Sequence, residues 1–336
     1  MKAVVTGGGG FLGSAIVRQL RARGDEVVAV QRGAYPALDA LGAKSIRADL
    51  ADLSALLSAF QGADVVFHVA AKAGVWGRYE DYHAANVTGT ENVIEACRQC
   101  RVPRLVFTST PSVVFNGRDE DGITESAPYP RRYIAHYPKT KAVAEQLVLR
   151  ANSPALNTVA LRPHLIWGPG DPHLVPRILD RARSGRLRLV RAAGKRVDST
   201  FIENAAAAHL LAASAPSAAC AGKAYFISNG EPLAMLDLVT RILRAANLQP
   251  IIPTVPAPIA YATGCTMELM HTLLGLRAEP LLTRFVARQL SCSHWYDISA
   301  ARRDLGYQPL ISIDEGMVLL ARSLAGRTQG TTQEAA

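Results

Sequence analysis

The chain has few cysteines and no arrangement of them that could build a framework. Five in 336 residues is an odd number, which argues against a disulfide scaffold and for a reducing, cytoplasmic setting. Cys97-Arg98-Gln99-Cys100 has metal-like spacing but no second pair, so neither a zinc site nor a redox pair is expected. No uninterrupted apolar run reaches membrane length. Pro258 to Leu276 comes nearest, but Glu268 and His271 interrupt it, and a span needs ~20 mostly apolar residues. A lid over an apolar substrate, contact with a membrane surface, or plain core packing remain open for it. No signal-peptide pattern precedes the first apolar strand, so the mature chain is expected to start where translation does. The net charge of +9 is scattered rather than arrayed on one face, which favours a polyanionic small molecule over nucleic acid as its partner.

What is present is the composition of an ordinary globular protein, 49% hydrophobic and 19% charged, long enough for one large or two modest domains. Lys2 to Thr6, Glu26 to Gln31, Ala43 to Ala48, Asp64 to Ala70, Arg104 to Ser109 and Asn157 to Leu161 read as strands. Helices are expected to start near Leu12, Leu53, Asn86 and Pro138. Short apolar strands alternating with helices predict a parallel sheet covered on both faces, the α/β doubly wound Rossmann class. Beyond Trp167-Gly168-Pro169-Gly170-Asp171-Pro172 the alternation weakens, and Lys223 to Ser228 looks like a strand returning to the sheet. The expected division is a cofactor-binding domain over 1–165, rejoined by 198–230. A smaller substrate domain covers 166–197 and 231–328, and a disordered tail covers 329–336.

The first strand runs into Thr6-Gly7-Gly8-Gly9-Gly10-Phe11-Leu12-Gly13. A strand that turns straight into a helix can present backbone N–H groups to a pyrophosphate only where Cβ atoms are absent. Gly7, Gly10 and Gly13 are therefore candidate cofactor contacts, together with Phe11 and Leu12 of the same turn. The second strand ends Gln31-Arg32 with no carboxylate to bind the adenosine ribose hydroxyls of NAD. Arg32 could pair with a 2′-phosphate, which predicts NADP(H), although a solvated surface arginine is the plain alternative.

Tyr137-Pro138-Lys139-Thr140-Lys141 contains Tyr-x-x-x-Lys. Residues four apart share a helix face, so the Lys141 ammonium can sit near the Tyr137 phenol and lower its pKa from ~10 towards the working range. That would make Tyr137 a general acid or base. Thr-Gly-x-x-Gly-x-x-Gly with Tyr-x-x-x-Lys resembles the short-chain dehydrogenase/reductase superfamily. The resemblance implies a catalytic hydroxyl at the third position of Thr108-Ser109-Thr110, hence Thr110 with Ser109 as runner-up. It also implies an adenine edge at Asp49 and Leu50, a close cofactor approach at Ala70 and Ala71, and a buttressing Asn86. The nicotinamide would pass the segment beginning Leu161-Arg162-Pro163. His68, His136 and His164 have no serine or metal partner in suitable order and read as structural.

The words Thr110-Pro111-Ser112-Val113-Val114-Phe115, Ala135-His136-Tyr137-Pro138-Lys139-Thr140-Lys141 and Arg162-Pro163-His164-Leu165-Ile166-Trp167-Gly168-Pro169-Gly170-Asp171-Pro172 narrow the resemblance. They resemble the 3β-hydroxysteroid dehydrogenase group of the extended branch, and within it the 2-alkyl-3-oxoalkanoate reductases of bacterial long-chain olefin biosynthesis. Sterol-4-carboxylate 3-dehydrogenases share many of these words. The resemblance implies reversible hydride transfer between NADP(H) and a 2-alkyl-3-keto or 3-hydroxy long-chain acid, with Arg131 and Arg132 as candidates for its carboxylate. It also implies a homodimer and contact with the β-lactone synthetase and β-lactone decarboxylase of that pathway. A sugar-nucleotide epimerase retaining NAD, and a non-catalytic dinucleotide sensor, are the rival readings.

Overall fold

The computed structural model describes residues 1–333. In chain order its strands are β1 (Lys2–Thr6), β2 (Glu26–Gln31), β3 (Lys44–Arg47), β4 (Val65–His68), β5 (Arg104–Thr108), β6 (Glu120–Ile123) and β7 (Asn157–Pro163), then β8 (Ile166–Trp167), β9 (Leu189–Arg191), β10 (Thr200–Phe201), β11 (Lys223–Ile227), β12 (Thr254–Pro256) and β13 (His294–Tyr296). Seven of them form one sheet in the order β11-β7-β5-β4-β1-β2-β3, and every neighbouring pair in it is parallel.

Alternation along each strand builds two apolar layers. Val4, Val28, Val66, Leu105 and Ala160 point to a layer that also contains Leu56, Phe60, Val93 and Val148. These come from helices Leu53–Phe60, Gly89–Gln99 and His136–Arg150. Val5, Ala29, Phe67, Val106 and Leu161 point the other way, to Leu12, Ile16, Ala205 and Ala208 on helices Phe11–Ala22 and Ile202–Ser214. Both sheet faces are thus covered, which is what near-continuous apolar strands require. The strand order reverses between β1 and β4, and ligand crevices open at the carboxyl ends of the strands flanking such a reversal.

Helix boundaries differ from the sequence reading where local chemistry intervenes. The helix expected near Asn86 begins earlier, as Tyr79–His83, passes through a π-turn at Ala84–Thr88 and continues as Gly89–Gln99. Three short parallel pairs, β8 with β10, β9 with β12 and β6 with β13, tie the later chain back to the earlier. The Pro258 to Leu276 stretch forms helix Ala257–Leu273. Its inner side is fixed at Gly264, where a Cβ would come 2.9 Å from the Arg284 backbone, and at Glu268, whose carboxylate accepts from Arg284 N at 2.7 Å and Nε at 2.6 Å. No helix among the described residues is long and apolar enough to cross a membrane. The final helix, Ile313–Gln333, runs into the segment expected to lack structure; residues 334–336 lie outside the described residues.

Candidate active site

The crevice starts where β1 turns into its helix. Gly7 takes φ +71°, and a Cβ there would come 2.9 Å from the Ala70 backbone at the end of β4; one on Gly13 would come 2.1 Å from the Gly7 carbonyl. Only glycine permits both approaches. Helix Phe11–Ala22 has no side-chain cap and no acid in its first turn. Its N-terminal N–H groups therefore remain available to an anion, and the dipole favours negative charge there. Leu12 buries its side chain in the core, so its contribution to such a site is its backbone. This cradle fits a dinucleotide pyrophosphate.

The adenosine end is less simple than the sequence suggests. Gln31 is buried, and its amide donates to Ser45 Oγ on β3 at 2.5 Å, so it does not present itself to a ribose. Arg32 is exposed and carries the only charge at the end of β2. Arg47, opposite Gln31 in the β2–β3 register, donates its Nε to the Arg32 carbonyl at 2.8 Å. This second guanidinium at the site was missed in the sequence, although its place at the end of β3 could have signalled it. Asp49 accepts from Ala51 N at 2.9 Å, which shapes the turn after β3. The Leu50 side chain lies against Gly89, and its carbonyl accepts from Asn92 at 2.8 Å.

The reactive end lies at the carboxyl edge of β5. Thr110 opens a 3-10 turn over Pro111–Val113; its hydroxyl faces the Tyr137 phenol and lowers the phenol's pKa, and lies 3.0 Å from Ser112 Oγ. Ser109 is buried with an unpartnered hydroxyl, and Thr108 bonds to His209 Nε2 at 2.8 Å on the far side. Of the three hydroxyls, Thr110 is the one that meets the tyrosine.

Lys141 is anchored to β5. Its ammonium donates to the Thr108 carbonyl at 2.6 Å and sits 4.0 Å above the Phe107 ring. Burial pulls its pKa down to about 7, against the opposing pull of Glu145. The Tyr137 phenol is pushed up to about 12 by burial, opposed by the Thr110 hydroxyl and helped by Tyr82, a neighbour the sequence reading missed. Lys141 does not contribute to that shift, its ammonium being held at the Thr108 carbonyl and over the Phe107 ring.

A buried network connects the glycine strand to this helix. Ala70 N donates to Thr6 Oγ1 at 3.3 Å, and Thr6 Oγ1 lies 2.8 Å from His68 Nδ1. His68 Nε2 lies 3.0 Å from Thr90 Oγ1, which donates to the Asn86 carbonyl at 2.6 Å. Since the Thr90 proton is committed, Nε2 must donate, which leaves Nδ1 to accept from Thr6. The Asn86 side chain then spans Lys72 N at 2.7 Å and Thr140 Oγ1 at 3.1 Å. Asn86 thus couples the loop after Ala70 and Ala71 to the helix that carries Tyr137. Pro163 ends β7, buried opposite Ile227 of β11. Arg131 and Arg132 are exposed on the loop before the Tyr137 helix.

His68 also yields a test. Burial first, then Lys141, lowers its pKa from 6.5 to about 3. Below pH 6.5 the unfolded chain binds a proton that the folded one refuses, so stability should fall as pH drops from about 6.5 towards about 3. In urea titrations at pH 6 and pH 4, His68→Gln is expected to show a stability loss shallower than wild type by about one proton of linkage. Equal slopes would mean that His68 titrates freely inside the fold.

The profile of the 3-beta hydroxysteroid dehydrogenase/isomerase family matches residues 4–254. The 2-alkyl-3-oxoalkanoate reductase of Stenotrophomonas maltophilia is 54% identical over 329 residues, covering 97% of this chain and 100% of that protein. The 2-alkyl-3-oxoalkanoate reductase of Shewanella oneidensis is 51% identical over 332 residues, covering 96% of this chain and 86% of its own. Among solved structures, MoeE5 in complex with UDP-glucose and NAD superposes with a TM-score of 0.75 at 26% identity, over 98% of this chain and 100% of that one.

Proposed function

Because the chain belongs to the 3-beta hydroxysteroid dehydrogenase/isomerase family and is an oxidoreductase acting on a hydroxyl or keto group, we propose that it reduces a 2-alkyl-3-oxo long-chain acid to the 2-alkyl-3-hydroxy acid, reversibly, with NADP(H). The observation that carries the proposal is near-full-length identity of 51% and 54% to two bacterial reductases of that name. The Thr110–Tyr137 pair at the sheet's carboxyl edge supports the chemistry.

When bound, NADPH supplies the hydride. Gly7, Gly10, Phe11, Leu12 and Gly13 would hold its pyrophosphate and Arg32 its 2′-phosphate. Asp49 and Leu50 would border the adenine, Ala70, Ala71 and Pro163 would line the path to the reacting carbon, and Lys141 would hold the nicotinamide ribose. Tyr137 gives its proton to the ketone oxygen as the carbon is reduced, and in the reverse direction takes the hydroxyl proton back. Thr110 donates a second hydrogen bond to the oxygen as charge develops there. With a phenol pushed up to about 12, Tyr137 holds its proton at neutral pH, the form that reduction needs. Arg131 and Arg132 are the groups within this reading that would receive the substrate carboxylate.

Reduced-nicotinamide absorbance, followed while the purified protein oxidises a 2-alkyl-3-hydroxy long-chain acid with NADP⁺ or NAD⁺ beside a 3β-hydroxysteroid, tests the proposal. Turnover of the acid is expected; turnover of the steroid alone would replace the substrate and keep the mechanism. Arg32→Ala is expected to lower the preference for NADP⁺ over NAD⁺, measured as a ratio of kcat/KM, by about ten- to hundredfold, the weight of one charge-assisted hydrogen bond. An unchanged ratio would remove Arg32 from the phosphate site.

A further inference from the structure

Helix Ala257–Leu273 turns one face to the rest of the protein and leaves the other uncovered. Ile259, Leu269, Met270 and Leu273 fall on that outer side at helical spacing, and Leu274 follows them. Leu273 is 75% and Leu274 65% exposed, with Leu281 just beyond at 64%. No charged residue interrupts this face, because Glu268 is turned inward onto Arg284. A contiguous exposed apolar patch of this kind marks an interaction surface.

The surroundings say what covers it. The arginine-rich segment 177–191 borders the helix at both ends. At the start, β9 pairs with β12 and sets Arg191 opposite Pro256. At the end, Arg177 binds Glu279 at 3.2 Å, and Arg181 donates to the Leu281 carbonyl at 2.9 Å. Arg191, opposite Pro256 at the start of the helix, and Arg277, just beyond its end, are exposed. Of the acids nearby, Asp180 is the only one within the segment, and Glu279 is occupied by Arg177. An uncharged leucine face rimmed by arginines complements an anionic lipid surface, where the side chains enter the acyl boundary and the guanidiniums meet phosphates.

We propose that this face docks on an anionic membrane surface without crossing it. The inference rests on the surface alone and holds for any substrate. Its placement would also bring the active-site rim to the lipid. Trp76 Nε1 donates to the Leu276 carbonyl at 3.2 Å, and the Trp76 carbonyl accepts from Tyr82 at 2.9 Å, next to Tyr137.

Co-sedimentation of the full chain with vesicles of phosphatidylcholine, with and without phosphatidylglycerol, tests this. The protein is expected to pellet with the anionic vesicles and to be released by high salt. The variant Arg191→Gln/Arg277→Gln should bind them more weakly by about twenty-fivefold, since one arginine at such a surface is worth about fivefold. Leu273→Ser/Leu274→Ser should bind more weakly by about tenfold or more. Both pairs are exposed, so thermal unfolding should match wild type. Absence of binding, equal binding to neutral vesicles, or binding indifferent to both double substitutions would overturn the proposal. So would a dimer in solution that Leu273→Ser/Leu274→Ser splits into monomers, since a second copy would then be the occupant.

Discussion

Tyr137→Phe is expected to lower kcat by two to three orders of magnitude or more while NADPH binding, read by quenching of protein fluorescence, stays within a few-fold of wild type. The substitution removes one oxygen. It leaves the ring, the helix and the glycine cradle in place, so what is lost is the proton donor and one of two hydrogen bonds to the reacting oxygen. Losing such a donor typically costs ~3 to 4 kcal/mol in the transition state, and losing the acid adds to that. Thr110→Val should show a smaller loss of the same kind, since Thr110 contributes a hydrogen bond and no proton. Turnover of Tyr137→Phe within a few-fold of wild type would place the acid elsewhere.

The largest effect on stability is expected at Glu145. This residue lies four positions after Lys141 on the helix that carries Tyr137, and its carboxylate is fully enclosed. It accepts from Arg162 Nε at 2.9 Å and Nη2 at 2.6 Å, and from the Tyr129 hydroxyl at 2.6 Å. The two charged side chains are 0% and 3% exposed. Glu145→Leu strands a buried guanidinium, and breaking a buried pair from one side typically costs ~3 to 5 kcal/mol. Glu145→Leu with Arg162→Met should recover most of it, because the charge is then gone from both sides. Urea midpoints for the three proteins decide the matter, and a single variant within about 1 kcal/mol of wild type would show that water reaches the site. Glu145 also raises the Lys141 pKa. Its removal should therefore leave fewer molecules with a charged Lys141 at neutral pH, visible as a shift of the pH–rate profile to lower pH.

The sheet was legible because its signal is local, whereas the facing of Thr110 and Tyr137 was expected only from the resemblance. The near-continuous apolar runs of β1 and β2 mark strands buried on both faces, and a hydroxyl at the end of β5 has one crevice to face. The Tyr-x-x-x-Lys spacing likewise put tyrosine and lysine on one helix face. Where Lys141 would send its ammonium was not legible, since that depends on a carbonyl at Thr108 and a ring at Phe107, brought there by a different strand. Tyr82 and the partners of His68 were hidden for the same reason: each acts across elements far apart in sequence. The π-turn at Asn86 had no compositional mark at all. It is a matter of one residue's worth of backbone, accommodated by hydrogen bonds to Lys72 and Thr140.

The outermost strand carries a consequence for how the protein can be made. β11 pairs with β7 alone, and some sixty residues separate Pro163 from Lys223. While a ribosome is still translating that interval, β7 has its hydrogen-bonding edge bare along Val159, Ala160 and Leu161, a template for pairing with any other extended chain. A fragment ending near residue 165 would keep that bare edge permanently. It would also lack the carbonyls of Ala212 and Ala215, to which the buried Arg104 guanidinium donates at 2.9 and 2.8 Å. Synthesis therefore passes through an adhesive intermediate that ends only when the later chain arrives.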